Sequence, residues 1–405
     1  MDGTQLKQAA QMNICQTYAR HDLVLVRGSG CRLWDADGRE YLDFVGGIAV
    51  CNLGHCPDDL AEVLYRQARH LVHVSNLYYT EPQVRLAELL TGSSFADKVF
   101  FCNSGAEANE AAIKLARKYS RERHGAGRYG IITMKASFHG RTMATLSATG
   151  QEKVHHGFEP LVDGFHYVEF DNVDAVTAAV DGTICAVLVE PIQGEGGVRI
   201  PGPDYLARLR RLCSERDLLL IYDEVQVGMG RTGALFAHQH EGVAPDIMTL
   251  AKALGNGLPI GAMLTTNHVA EAFTPGSHAS TFGGTPLVTA VACEVLKRID
   301  NPTFLERVRT VGAFFKERLQ ALQAKHPRLV REVRGRGLIV GMELEVPGKD
   351  VVRRCQELGF LINCTVDKVL RFVPPLVVSE AEIDRLIQAL DTVFAEMERS
   401  VTAPG

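Results

Sequence analysis

The 405-residue chain is short of most features that would decide its class at a glance. No stretch reaches the roughly 18 apolar residues that would span a bilayer. The polar start, Met1 to Arg20, has no basic region leading into an apolar run, so no secretory signal is expected. Lys+Arg 43 against Asp+Glu 48 leaves a net charge of -5, which argues against a nucleic-acid or anionic-membrane partner. Aromatics make up 7% with one Trp, so no base-stacking platform stands out. The ten cysteines are scattered without a C-x-x-C pair, a spacing that suits neither a zinc site nor a disulfide framework, and a cytoplasmic home is expected. Internal repeats, low-complexity tracts and long charge runs are missing too.

What the chain has is an ordinary globular balance, 46% hydrophobic and 22% charged, with 38 glycines. At roughly 150 residues per domain its length predicts two or three lobes. Between Leu23 and Phe44 three short strand-like runs are divided by Gly28-Ser29-Gly30 and Asp35-Ala36-Asp37-Gly38, which predicts an antiparallel meander. From there to about residue 290 apolar runs alternate with helical periodicity. The runs are Val99–Cys102, Tyr129–Met134, Ile184–Val189, Leu218–Tyr222, Ile247–Leu250 and Ile260–Leu264. Continuous apolar strands between helices predict an α/β architecture with a mostly parallel sheet covered on both faces.

Asn301-Pro302 reads as a boundary. Beyond it come a helical stripe from Phe304 to Leu322, strand-like runs at Leu338–Val346, Phe360–Val366 and Val369–Val378, and a last helix opened by Ser379-Glu380-Ala381-Glu382, a capping box. The expected division is an N-terminal segment, 1–50, packing with a small α+β domain, 301–405, around a large domain, 51–300.

Three segments could carry chemistry. Asn103-Ser104-Gly105-Ala106-Glu107 links a strand to an amphipathic helix, and a helix start with free N–H groups suits a phosphate. Taken alone it reads first as a capped helix, because capping boxes are common. Tyr222-Asp223-Glu224 ends a buried strand in two carboxylates pointing to opposite faces, where open α/β sheets bind ligands. Lys252 also stands at a strand end, beside Gly255-Asn256-Gly257, although most lone lysines are surface lysines. The three together describe a site for pyridoxal phosphate: helix start for the phosphate, Asp for the ring nitrogen, Lys for the aldehyde.

The sequence resembles the class III aminotransferases, the ornithine and GABA aminotransferase group of fold type I pyridoxal-phosphate enzymes, over nearly its whole length. The motifs are Ser75-Asn76-Leu77-Tyr78, Asn103 to Ala108, Phe138-His139-Gly140-Arg141-Thr142, Glu190-Pro191-Ile192-Gln193-Gly194-Glu195-Gly196-Gly197, Asp223-Glu224-Val225-Gln226, Lys252-Ala253-Leu254-Gly255 and Thr281-Phe282-Gly283-Gly284. The resemblance implies a seven-stranded sheet in the large domain. It implies Lys252 as the cofactor-bearing lysine and proton carrier, and Asp223 as the partner of the pyridinium. Phe138 would stack on the ring, Gln226 would contact its 3′-oxygen, and Glu224 and Val225 belong to the same ring-lining segment. Ser104, Gly105 and Ala106 would hold the phosphate. Thr281 would reach the phosphate of a neighbouring subunit, with Ser280 near that substrate site, so a homodimer is implied.

The resemblance further implies that Arg141 clamps a substrate carboxylate, while Glu195 covers Arg371 and swings away when a second carboxylate arrives. It points to transfer of the terminal amino group of N2-acetylornithine to 2-oxoglutarate, ping-pong through pyridoxamine phosphate. Succinylornithine, acetyllysine, ornithine and succinyldiaminopimelate are alternative donors, and one pocket can serve several of them. A nicotinamide dehydrogenase built on Gly228-Met229-Gly230-Arg231-Thr232-Gly233 is a rival from another class, and a catalytically dead paralogue retained for binding is a third. Ala234 to Gly242 gives it no convincing helix, so those glycines read as a loop. His155-His156 and His238/His240 lack partners at ligand spacing, so no metal site is expected. Asn363-Cys364-Thr365 fits a glycosylation sequon without meaning in a cytoplasmic chain.

Overall fold

The structure is a computed structural model that describes residues 2–402. Three N-terminal strands, β1 (Leu25–Ser29), β2 (Arg32–Asp35) and β3 (Glu40–Asp43), pair antiparallel in sequence order. Then come β4 (Lys98–Cys102), β5 (Gly130–Met134), β6 (Phe165–Val168), β7 (Ile184–Val189), β8 (Leu219–Asp223), β9 (Ile247–Leu250) and β10 (Gly261–Thr265). These seven make one sheet in the order β4-β10-β9-β8-β7-β5-β6, parallel except for β10, which runs against both its neighbours.

The apolar runs are continuous because both faces of this sheet are covered. Ala186, Leu188 and Ile221 pack with Ala111, Ala112 and Leu115 of helix Gly105–His124. Their neighbours Val187, Val189, Leu220 and Tyr222 pack with Leu209 and Cys213 of helix Tyr205–Glu215 on the other face. Six strands match apolar runs in the sequence. The seventh, β6, is an edge strand whose middle residues His166 and Tyr167 are exposed, and it reads as nothing in particular.

The C-terminal part holds β11 (Val330–Arg336), β12 (Ile339–Leu344), β13 (Phe360–Leu361), β14 (Asn363–Thr365) and β15 (Val369–Phe372). β13 adds to β3 in parallel, completing a small sheet made from both ends of the chain. The other four form a sheet in the order β11-β12-β15-β14. Two longer runs expected from sequence are cut short. Ile362 separates β13 from β14, and β15 stops before Pro374-Pro375, which have no N–H to donate. Helix Glu380–Thr402 has the expected box: the Ser379 N–H donates to Glu382 Oε2 at 3.0 Å and the Glu382 N–H to Ser379 Oγ at 3.3 Å. Cys31, Leu42 and Phe44 share a core with Phe315, Phe360 and Phe372, the Phe44 and Phe315 rings 5.8 Å apart.

The Gly228–Gly233 loop fastens these parts together. Gly230 and Gly233 sit at φ of +81° and +85°, which turn Arg231 inward until it is fully buried. Its Nη1 donates to Leu338 O at 2.9 Å and Pro374 O at 2.5 Å, and Nη2 to Asn52 Oδ1. Asn52 Nδ2 donates back to Met229 O at 2.8 Å. The glycine pattern that could suggest a dinucleotide loop is a clamp. Arg231→Met keeps the volume but leaves three buried acceptors without that donor, at ~1–3 kcal/mol each. A stability loss of about 3 kcal/mol or more is expected, read as a lower denaturant midpoint at unchanged slope; an unmoved midpoint would refute the clamp.

Candidate active site

At the carboxyl edge of the sheet, β4 runs through Asn103 into helix Gly105–His124, whose N-cap is Ser104. Ser104 Oγ accepts the Glu107 N–H at 3.2 Å. The Glu107 carboxylate does not close a box on Ser104. It accepts from Asn103 instead, at 2.7 Å from the backbone N–H and 2.8 Å from Nδ2. The first-turn N–H groups of Gly105 and Ala106 have no intrahelical acceptor and stay open at the positive end of a 20-residue helix. A Cβ on Gly105 would lie 2.6 Å from Val225 Cγ1, so only glycine lets these two segments meet.

Asp223 closes β8 and is buried. Its Oδ2 accepts from Asn109 Nδ2 at 2.7 Å and lies 2.8 Å from His139 Nδ1; its Oδ1 accepts the Val225 N–H at 3.0 Å. Asn109 is itself oriented by Thr249 Oγ1, which donates to its Oδ1 at 2.8 Å. The next residue, Glu224, leaves on the other face of the strand. It does not line the cavity, contrary to its place in the expected ring-lining segment, and instead takes the Ala237 and His238 N–H groups and His238 Nδ1, 2.8 Å away. Alternation along the strand requires that divergence.

Lys252 follows β9 at φ +43°, in the left-handed region that costs a non-glycine residue ~1–3 kcal/mol. Its turn is tied down by Asn256, whose Oδ1 accepts the Leu53 N–H at 2.8 Å and whose Nδ2 donates to Gly54 O at 3.1 Å. Burial pushes the Lys252 amine down to about 8, with Glu195 pulling it up, Arg371 pushing it further down and Asp223 and Glu190 pulling it up again. Glu190 accepts the Phe138 and Gly194 N–H groups at 3.1 and 3.4 Å, and burial followed by nearby Asp223 holds its carboxyl well above the usual range.

Arg371, on β15, is 1% exposed and meets Glu195 Oε1 with Nη1 at 2.6 Å. Gln226 bridges them: its Oε1 accepts from Arg371 Nη1 at 3.1 Å and its Nε2 donates to Glu195 Oε1 at 3.4 Å. Burial raises the Glu195 carboxyl, but Arg371, with Lys252 and the Gln226 hydrogen bond, outweighs this and holds it below its ordinary value. Arg141 stands 5.4 Å over the Phe138 ring and makes no ion pair among the described residues.

A cavity of about 440 Å³ brings together Ser104, Gly105, Ala106, Phe138, Arg141, Glu195, Asp223, Val225, Gln226 and Lys252. Ser280 and Thr281 line another cavity, of about 880 Å³, with Asn76, Leu77 and Tyr79. Ser280 still touches the cradle, accepting from Asn103 Nδ2 at 3.2 Å. Asn109, His139 and Glu190 also line the first cavity; the sequence placed His139 and Glu190 inside motifs but gave them no task, and Asn109 showed no signal. Backbone donors at a helix start where a Cβ would collide, a buried acid with two side-chain partners on Oδ2 and a desolvated amine fit a phosphorylated pyridine aldehyde.

The chain matches the description "Aminotransferase class-III" over residues 15–394. It is 52% identical over 385 residues to the acetylornithine aminotransferase of Caldanaerobacter subterraneus subsp. tengcongensis, covering 95% of this chain and 98% of that one. Among solved structures it is similar to the ornithine aminotransferase of Toxoplasma gondii, with TM-score 0.94 and 35% identity over 99% of this chain and 96% of the other; a further structure of that enzyme holds PLP at partial occupancy in its active site. It is also similar to the N-acetylornithine aminotransferase of Stenotrophomonas maltophilia, with TM-score 0.83 and 38% identity over 97% and 99% of the two chains.

The depressed amine gives a direct test on cofactor-free protein. Acylation of Lys252, followed by mass spectrometry against pH, should reach half its plateau rate near pH 8, where ordinary lysines need about 10.4. Glu195 favours the ammonium, so Glu195→Gln should move the Lys252 midpoint lower. A midpoint that stays put or rises would contradict this electrostatic reading.

Proposed function

The chain belongs to the class-III aminotransferases, which depend on pyridoxal phosphate, and from that premise we propose that it moves the terminal amino group of N2-acetylornithine to 2-oxoglutarate. The products are N-acetylglutamate 5-semialdehyde and glutamate, a step of arginine biosynthesis. The observation that carries the reading is the asymmetry of the two arginines: Arg141 unpaired near the cavity mouth, Arg371 buried under Glu195. A guanidinium fork suits carboxylate recognition because it binds both oxygens and keeps its charge. One open and one covered fork suit an enzyme that must take a monoacid with a neutral acylated tail and a diacid in turn.

Ser104, Gly105 and Ala106 would hold the phosphate, Asp223 the ring nitrogen, Phe138 and Val225 the ring faces, Gln226 the 3′-oxygen and Lys252 the aldehyde. When bound, the cofactor supplies a carbonyl that receives the amino group and a ring that draws electrons from the reacting carbon. Asn109 and His139 orient Asp223 so that its charge favours a protonated ring nitrogen. Lys252, with its amine held near 8, carries a proton to and from the reacting carbon close to neutral pH. Arg141 binds the donor's carboxylate, and Glu195 keeps Arg371 neutralised while the acyl tail is present.

The same reading makes the protein a homodimer in which Ser280 and Thr281 serve the neighbouring site. Large apolar side chains around the cavity that holds them support this: Leu77 is 83% exposed and Tyr79 98%. We also infer a cytoplasmic location, in keeping with ten free cysteines. No helix among the described residues is long and apolar enough to cross a membrane.

In half-reactions followed by cofactor absorbance, kcat/KM for N2-acetylornithine should exceed that for ornithine by roughly tenfold or more, within the range that one substrate group can discriminate; a preference for ornithine would overturn the donor assignment. Glu195→Ala should leave Arg371 permanently uncovered, lowering KM for 2-oxoglutarate relative to the donor's. If the ratio of the two constants does not move, Glu195 does not cover Arg371 in function.

A further inference from the structure

The Asn363-Cys364-Thr365 tripeptide, which looks like an idle sequon in the sequence, forms strand β14 beside the Glu195–Arg371 pair. Asn363 stands directly opposite Arg371 in the ladder between β14 and β15. With its carboxamide oriented to satisfy both of its groups, its Nδ2 donates to Arg371 O at 2.9 Å and its Oδ1 accepts from Arg371 Nη2 at 2.8 Å. Two residues along, on the same face of the strand, Thr365 Oγ1 donates to Glu195 O. One short strand thus grips the arginine through its side chain and the glutamate through its backbone.

We propose that β14 seats the pair: Asn363 is a positioning residue that fixes the Arg371 fork without neutralising it, and Thr365 pins the Glu195 backbone so that only its carboxylate moves. The proposal rests on the reading of Glu195 and Arg371 as the place where a substrate carboxylate is admitted or refused. Arg371 Nη1 faces Glu195 and Gln226, while Nη2 faces Asn363. When Glu195 withdraws, Asn363 and Gln226 still hold the fork in place for the incoming anion. A carboxamide is the group for this task, since it gives one donor to a backbone oxygen and one neutral acceptor to a guanidinium. An aspartate there would set a second acceptor against Arg371 O and a permanent anion beside the guanidinium, competing with every substrate carboxylate.

The test uses the holoenzyme and two measurements: separate KM values for 2-oxoglutarate and N2-acetylornithine, and calorimetric binding of glutarate, a five-carbon diacid with no oxo group to react. Asn363→Asp should weaken glutarate binding roughly tenfold, because it places an anion against a buried charge pair, and raise KM for 2-oxoglutarate by a much larger factor than KM for the donor. Thr365→Val should shift the same ratio in the same direction and Thr365→Ser should restore it, which also keeps the test alive if Asn363→Asp does not fold. Equal shifts in both KM values, or glutarate affinity within about twofold of wild type in Asn363→Asp, would overturn the proposal. A wild-type enzyme that binds glutarate yet ignores N2-acetylornithine would overturn the donor assignment alone, because the loss of glutarate affinity in Asn363→Asp would still support β14 as the seat.

Discussion

An acid and an amine must share one small cavity without either collapsing onto the surface. The parallel sheet meets that demand through register. β8 and β9 are neighbours, and Asp223 pairs with Thr249 in their ladder, so Asp223 and Lys252 leave the same edge a few residues apart. Isolated buried charges are costly to hold. Here three carboxyls, Asp223, Glu190 and Glu195, surround two cations, Lys252 and Arg371, and the shifts on Lys252 record that balance: burial lowers its amine while the carboxyls oppose the fall. The left-handed backbone at Lys252 belongs to the same arrangement, a local cost borne by a turn fastened through Asn256 to the segment around Leu53.

The covered arginine comes from a different part of the fold from its glutamate. Arg371 lies on β15 in the C-terminal sheet, whereas Glu195 follows β7 of the large sheet. Their 2.6 Å contact therefore depends on how the two parts are seated. Arg231 sets that seating a few residues away, since two of its acceptors, Leu338 O and Pro374 O, flank the C-terminal sheet next to β12 and β15. A buried arginine with only neutral acceptors contributes little as a charge, but it demands three particular oxygens in three places. Bare backbone performs the complementary task at Gly194, where a Cβ would sit 2.0 Å from Gln226 Oε1, the atom that accepts from Arg371 while Nε2 of the same side chain donates to Glu195.

Much of this was legible in the sequence where local pattern and global burial agree. Strands covered on both faces show as unbroken apolar runs, so β7 and β8 announce themselves, while edge strand β6 carries His166 and Tyr167 to solvent and does not. Strand alternation required Asp223 and Glu224 to diverge, yet the motif alone suggested that both serve the ring; only the partners of Glu224 show that it serves a turn instead. Asn109 is one of several polar residues in the first turns of its helix, and its task depends on Asp223, 114 positions away, which no periodicity reveals. Asn363 matched a pattern with another meaning because a sequon and a polar strand face use the same residue types.

On the proposed reading, both substrates leave each of the two guanidiniums facing one carboxylate. A monoacid with a neutral tail satisfies Arg141 and leaves the Glu195–Arg371 pair closed. A diacid satisfies Arg141 with one end and substitutes its other carboxylate for that of Glu195 on Arg371. Because one anion replaces another, the guanidinium is never left bare in a buried place, and the exchange avoids the large penalty of an unpaired buried ion. Selectivity then lies in where the displaced glutamate goes: the Glu195 side chain is already about one quarter exposed, with Arg371 almost fully enclosed. The anion can step toward water while the cation stays, an order of mobility that a fork held by its own strand neighbour makes possible.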